Sequence, residues 1–132
     1  MSSNHHCEAL VLHCIDFRFR KSLSKYLIEC FPEGYDLIAV AGGVKRLLTD
    51  GTENNFLLDQ LRISNRLHNP EKIVLLQHED CGAYGGSKAF QDFEIERAFQ
   101  KQELQKAEDF LKNHFSQKVE KYFAKLSGEI EA

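Results

Sequence analysis

Lys72-Ile73-Val74-Leu75-Leu76-Gln77-His78 is the clearest strand in the chain. The run is short, rich in Val, Ile and Leu, and lacks polar alternation, which fits a strand buried on both faces. Working upstream, Glu8 to Cys14 (Glu-Ala-Leu-Val-Leu-His-Cys) and Tyr35 to Ala41 (Tyr-Asp-Leu-Ile-Ala-Val-Ala) read the same way. Between the first two runs, Leu23, Leu27 and Phe31 fall four apart. That is a helical stripe over Arg20–Phe31, stopped by Pro32 and Gly34. Between the second and third, Leu57, Leu58, Leu61, Ile63 and Leu67 line a second helix. Asn54 or Asn55 is placed to cap it, and Asn69-Pro70 ends it. Strand, helix, strand, helix, strand is the alternation of a parallel sheet with right-handed crossovers.

Downstream of His78, a glycine-rich loop (Cys81-Gly82-Ala83-Tyr84-Gly85-Gly86) leads into a long polar helix from about Glu94 to His114. Its apolar positions are Ile95, Phe99, Ala107, Phe110 and Leu111. The tail, Gln117 to Ala132, admits two readings. Val119, Tyr122, Phe123 and Leu126 make a helical stripe, or a strand that turns at Ser127-Gly128 into a short return strand. The β-prone Val-x-x-Tyr-Phe and the Ser-Gly turn favour the hairpin. The expected architecture is thus an α/β domain over residues 1–132, with a mostly parallel sheet of about four strands, a short hairpin strand and flanking helices.

Composition bounds the function. The chain has 132 residues, with Lys+Arg 17 against Asp+Glu 20 and a formal charge of −3. No long basic block offers a nucleic-acid footprint. No apolar run approaches the ~18 residues that span a bilayer. Met-Ser-Ser-Asn-His-His lacks the regions of a signal peptide, so a reducing cytoplasm is the expected location. There the four cysteines, Cys7, Cys14, Cys30 and Cys81, are thiols or metal ligands rather than disulfides.

In an open parallel sheet, ligands bind outside the carboxyl ends of the strands. If the first and third strands are neighbours, those ends bring Cys14, His78 and Cys81 together. Two thiolates and an imidazole form a three-ligand zinc set, which leaves the fourth tetrahedral position open. Asp16 and Arg18, two apart in extended chain, leave the same face and can pair. The pair is either a simple surface ion pair or a device that keeps Asp16 ionised and oriented. Gly42-Gly43 is either a turn requiring positive φ or part of a substrate site, and Gly82 is a further loop candidate. His5, His6, Cys7 and His13 suggest a second metal cluster that a frayed chain start disfavours. Lys45-Arg46 reads as a solvated face. Glu103/Lys106 and Glu108/Lys112 read as local helix pairs.

Several of these segments also carry a resemblance. Cys14-Ile15-Asp16-Phe17-Arg18 resembles the Cys-x-Asp-x-Arg element of the β-class carbonic anhydrases. His78-Glu79-Asp80-Cys81-Gly82-Ala83 is similar to their His-x-x-Cys-Gly element, and Val40-Ala41-Gly42-Gly43 to their Ala-Gly loop. Val119 to Glu131 is similar to their closing hairpin, so the likeness covers nearly the whole chain in order. The resemblance implies zinc on Cys14, His78 and Cys81, and reversible hydration of carbon dioxide to bicarbonate by a zinc-bound hydroxide. It implies that Asp16 orients that hydroxide and Arg18 holds Asp16, with Asp16 in some members closing onto zinc as a fourth ligand. It also implies a homodimer or larger homo-oligomer with its site near the subunit interface. Ala39-Val40 stand where the family often has Arg-Asn, and the chain is shorter than most members, so a second subunit is expected to complete the pocket. Other enzymes of this fold use the same zinc set on carbonyl sulfide or carbon disulfide. A catalytically silent zinc domain serving regulation or assembly is the remaining alternative.

Overall fold

A computed structural model describes residues 5–132. The chain runs β1 (Ala9–His13), α1 (Arg20–Cys30), β2 (Tyr35–Ala39), α2 (Thr52–His68), β3 (Lys72–His78), α3 (Phe93–Lys112), β4 (Lys118–Ala124) and β5 (Ile130–Glu131). The five strands form one sheet in the order β2-β1-β3-β4-β5. β1 pairs in parallel with β2 and with β3, and β3 pairs in parallel with β4. β5 returns antiparallel along the end of β4, with Phe123 opposite Glu131 and Ala124 opposite Ile130. The tail is therefore the expected hairpin rather than a helix.

Alternation along the strands sends side chains to two cores, one on each face of the sheet. Leu10, Leu12, Ile73 and Leu75 pack with Leu57 and Leu61 of α2 and with Leu104, Ala107 and Leu111 of α3. Ala9, Val11, Val74 and Leu76 pack with Leu23 and Leu27 of α1. Each such leucine, fully buried, contributes roughly 1.5–3 kcal/mol relative to exposure. Two-sided cover explains why β1 and β3 read as unbroken apolar runs. No helix among the described residues is long and apolar enough to cross a membrane.

Four expectations need correction. β2 is an edge strand, only half buried, with Leu37 40% exposed; it is therefore not sandwiched like β1 and β3. α2 begins at Thr52 with Gly51 (φ 101) as its cap position, because Asn54 instead donates its side-chain amide to the Leu47 carbonyl. Leu67 stays exposed near the end of α2, while Ser64 is buried and bonds Asp36. In α3, capped by Asp92 accepting from the Ile95 N–H, Ile95 points outward and Glu96, Gln100 and Glu103 point inward. The N-terminal half of α3 thus turns a polar stripe toward the interior, for reasons that lie in the loops beneath it.

Candidate metal centre

β1 and β3 are neighbours, so their carboxyl ends lie side by side. Cys14 follows β1 directly, His78 is the last residue of β3, and Cys81 sits three residues on. The two sulfurs and one imidazole nitrogen lie within 4.8 Å of one another, the only such cluster of at least three His, Cys, Asp or Glu ligand atoms among the described residues. Cys14, His78 and Cys81 are 8%, 3% and 3% exposed. The turn from His78 to Cys81 passes through Asp80 at φ 61, a left-handed conformation that brings the Cys81 side chain back over the strand end.

His78 is oriented by its neighbours. Its ring packs 4.4 Å from the Phe19 ring, centroid to centroid, and Nδ1 donates to the Glu79 carbonyl at 2.7 Å. In the neutral ring that places the lone pair on Nε2, which is buried without a hydrogen-bond partner. A buried, unsatisfied nitrogen facing two thiols is costly unless something occupies the space between them. The donor set therefore fits a soft or borderline divalent cation such as zinc.

The electrostatics favour a thiolate here. Contact with Cys81, then the His78 ring and the Gly42 N–H 3.4 Å from Sγ, hold Cys14 well below the usual thiol range. Cys81 is pushed up, first by the Cys14 sulfur beside it and then by burial. For His78, burial works against protonation, but the Cys14 sulfur, the Glu79 carbonyl and the Asp16 carboxylate outweigh it and raise its pKa.

Asp16 and Arg18 do pair, although not through extended chain. Asp16 caps a single 3-10 turn, Phe17–Phe19, and its Oδ1 accepts from the Arg18 backbone N–H at 2.9 Å. The guanidinium then closes on the same carboxylate, Nη2 to Oδ2 at 2.7 Å and Nε to Oδ1 at 3.1 Å. These bonds from Arg18 lower the Asp16 pKa despite partial burial. Asp16 Oδ2 lies 3.9 Å from His78 Nε2, beside the three ligand atoms but outside their group. Cys14, Asp16 and Arg18 line a cleft of about 720 Å³ with Ile15, Ala41, Gly82 and Lys88 in its walls.

The loop glycines divide. Gly42 (φ 84) gives its N–H to Cys14 Sγ, and Gly43 (φ 55) gives its N–H to the Val40 carbonyl. Gly82 faces the cleft with open space above its Cα. Lys45 and Arg46 are not the solvated face expected: Lys45 Nζ bonds the Ala83 carbonyl at 2.6 Å and Arg46 Nε the Ala41 carbonyl at 2.8 Å, tying both loops of the cleft. The possible cluster of His5, His6, Cys7 and His13 does not assemble. His6 pairs with Glu71, Cys7 Sγ bonds the Ala9 carbonyl before β1, and His13 lies at the far end of that strand.

Sequence reasoning missed the layer behind these residues. Asp80 takes the other edge of Arg18, Oδ2 accepting from Nη1 and its carbonyl from Nη2, both at 2.9 Å. Glu96 on α3 in turn accepts from the Asp80 N–H at 2.7 Å and from Ser87 Oγ at 2.8 Å. Gln100 and Glu103 bond Gln77 and Tyr84. The available signal was a run of polar residues at helical spacing, Glu96, Gln100 and Glu103, on a helix whose apolar stripe was incomplete.

A family model described as "Putative carbonic anhydrase" matches residues 4–132, and the chain belongs to that carbonic anhydrase family. An uncharacterized protein of Rickettsia conorii is 30% identical over 129 residues, covering 92% of this chain and 69% of that protein. A second uncharacterized protein, from Rickettsia bellii, is 27% identical over 129 residues, covering 92% of this chain and 79% of its own length. Among solved structures, a carbonic anhydrase of Streptococcus mutans aligns with a TM-score of 0.63 at 18% identity, over 93% of this chain and 79% of that one. A β-carbonic anhydrase of Trichomonas vaginalis aligns at 0.58 and 16% identity, over 93% and 80%. The fold is that of the β-carbonic anhydrases.

Proposed function

We propose that the protein is a zinc lyase that hydrates carbon dioxide reversibly to bicarbonate, with zinc held by Cys14, His78 and Cys81. The observation that carries this reading is the partnerless Nε2 of His78, buried against two cysteine sulfurs beside a carboxylate held by an arginine. When bound, zinc supplies the Lewis acidity that lets water lose a proton near neutral pH. Asp16 supplies the acceptor that orients the attacking water. Its two oxygens are fixed by three donors of Arg18, so it enters the reaction ionised and already aimed. Arg18 is itself fixed from behind by Asp80. With Asp16 engaged by Arg18 rather than grouped with the sulfurs, the arrangement favours an open fourth position.

Ile15 and Ala41 give the cleft an apolar wall suited to a small linear uncharged substrate, and Lys88 gives its rim a cation for the departing anion. Phe17, 81% exposed, and Ile15, 56% exposed, stand at the mouth and support a homodimer whose second subunit covers the site. Stopped-flow measurement of carbon dioxide hydration by zinc-loaded protein between pH 6 and 9 tests the proposal. Turnover above the buffer rate is expected. Hydration at background, with carbonyl sulfide hydrolysed instead, would reassign the substrate, and inactivity on both would leave a silent zinc domain.

A further inference from the structure

Gln77 precedes His78 on β3, is 2% exposed, and belongs to an otherwise apolar strand interior. A buried primary amide is tolerated there only if its hydrogen bonds are met. They are met by both loops of the cleft. Oε1 accepts from the Val44 N–H at 3.0 Å. Nε2 donates to the Gly42 carbonyl at 3.2 Å and to Gln100 Oε1 at 3.0 Å, with the Tyr84 hydroxyl at 3.4 Å. The fit is close, since a Cβ on Gly43 would come within 2.3 Å of Gln77 Oε1. The two peptides that the amide grips flank Gly43. One of them belongs to Gly42, whose N–H points at Cys14 Sγ. Tyr84, on the other side, sends its own N–H to the Cys81 carbonyl at 3.0 Å.

We propose that Gln77 is a positioning residue for the metal centre, its amide fixing the Gly42-Gly43-Val44 turn so that the Gly42 N–H stays on the Cys14 sulfur. This rests on the zinc reading of Cys14, His78 and Cys81. A strand-end residue needed for packing alone would be served better by leucine, which fills similar volume without a polar group to satisfy. The polar stripe of α3 then has a purpose: Gln100 occupies the remaining donor of Gln77 and keeps the amide from rotating toward another partner. Losing a group that hydrogen-bonds a metal ligand costs about 10- to 100-fold in metal affinity, and the Gly42 N–H, held in place through Gln77, is such a group for Cys14.

The test is a chelator competition for zinc on the full chain, run for wild type, Gln77→Leu, Gln77→Glu and Gly43→Ala, with cobalt(II) thiolate absorption and a thermal midpoint for each. Gln77→Leu should bind zinc about 10- to 100-fold more weakly and shift the cobalt band even where its midpoint matches wild type. Gln77→Glu keeps the acceptor for Val44 but sets an oxygen against the Gly42 carbonyl, so it should also bind zinc more weakly than wild type. Gly43→Ala displaces the amide from the other side and should resemble Gln77→Leu. Affinity within twofold of wild type and an unshifted band in Gln77→Leu overturn the inference while leaving the zinc reading intact. A wild type that takes up no zinc overturns both. Should the variants fail to fold, wild-type protein loaded with cadmium-113 decides. Scalar coupling between the Gly42 amide proton and cadmium is expected, and its absence overturns the inference.

Discussion

Four cysteines in one small chain meet two different fates. Cys14 and Cys81 stand at the carboxyl ends of neighbouring parallel strands, within 4.8 Å of a buried imidazole. Cys7 precedes β1 at the opposite end and bonds the Ala9 carbonyl, and Cys30 lies exposed at the end of α1. Both ends of the sheet carry histidine, cysteine and acids: His6, Glu8, Cys30, Glu33 and Glu71 gather around a cavity of about 440 Å³ near the strand starts. What separates them is the support. At the carboxyl end, loops bend through positive φ at Gly42, Gly43 and Asp80, and a polar helix face holds them there. At the amino end the acids take isolated contacts such as Glu8 with the Glu33 N–H. A set of ligand-type residues becomes a site when the fold fixes their backbones.

Breaking that contrast should have its largest effect on the metal. His78→Ala or Cys81→Ala is expected to abolish stoichiometric zinc, whereas Cys7→Ala and Cys30→Ser should leave it at one per chain, as read by metal analysis after dialysis. Next comes the carboxylate. Asp16→Asn should retain zinc but slow hydration on the order of 100-fold, the usual scale for losing a positioned proton acceptor, and Arg18→Ala should follow it closely. Asp80→Asn leaves Arg18 with its Asp16 contacts but weakens the second anchor. The expected loss is several-fold in kcat, on the order of 1 kcal/mol, with zinc content unchanged.

The smallest effect lies in the edge hairpin, outside the ligand set. Glu131 of β5 is clasped by Lys101, Lys125 and Arg97, which pull its pKa from 4.5 to about 2. A folded-state pKa below the unfolded one confers stability above pH 4.5 that is lost as pH falls toward 2. Protection factors of the hairpin amides, corrected for intrinsic exchange, should therefore fall through that window before those of the β1–β3 amides, and added salt should blunt the difference. Equal protection of the hairpin at pH 5 and pH 2.5 would contradict it.

Much of this contrast was legible in the chain. Apolar runs bounded by turns mark β1 and β3, and the rule that ligands bind at carboxyl ends separates Cys14 and Cys81 from Cys7 and Cys30. The hairpin followed from Val119, Tyr122 and Phe123 ahead of Ser127-Gly128. The supporting layer was not legible, because periodicity arguments count apolar residues. Glu96, Gln100 and Glu103 lie on the interior face of α3 for the hydrogen bonds they make, and those partners come from loops whose positions no spacing rule supplies. The spacing of Asp16 and Arg18 shows their pairing but not its local geometry, since a capped 3-10 turn and an extended dipeptide both bring the two side chains together.

X-ray absorption at the zinc edge of the loaded protein reads the Cys14–His78–Cys81 ligand set itself. A four-coordinate shell is expected, with two sulfurs at ~2.3 Å, one imidazole nitrogen and one further light atom. A shell of nitrogen and oxygen alone, or one with three or four sulfurs, would contradict it.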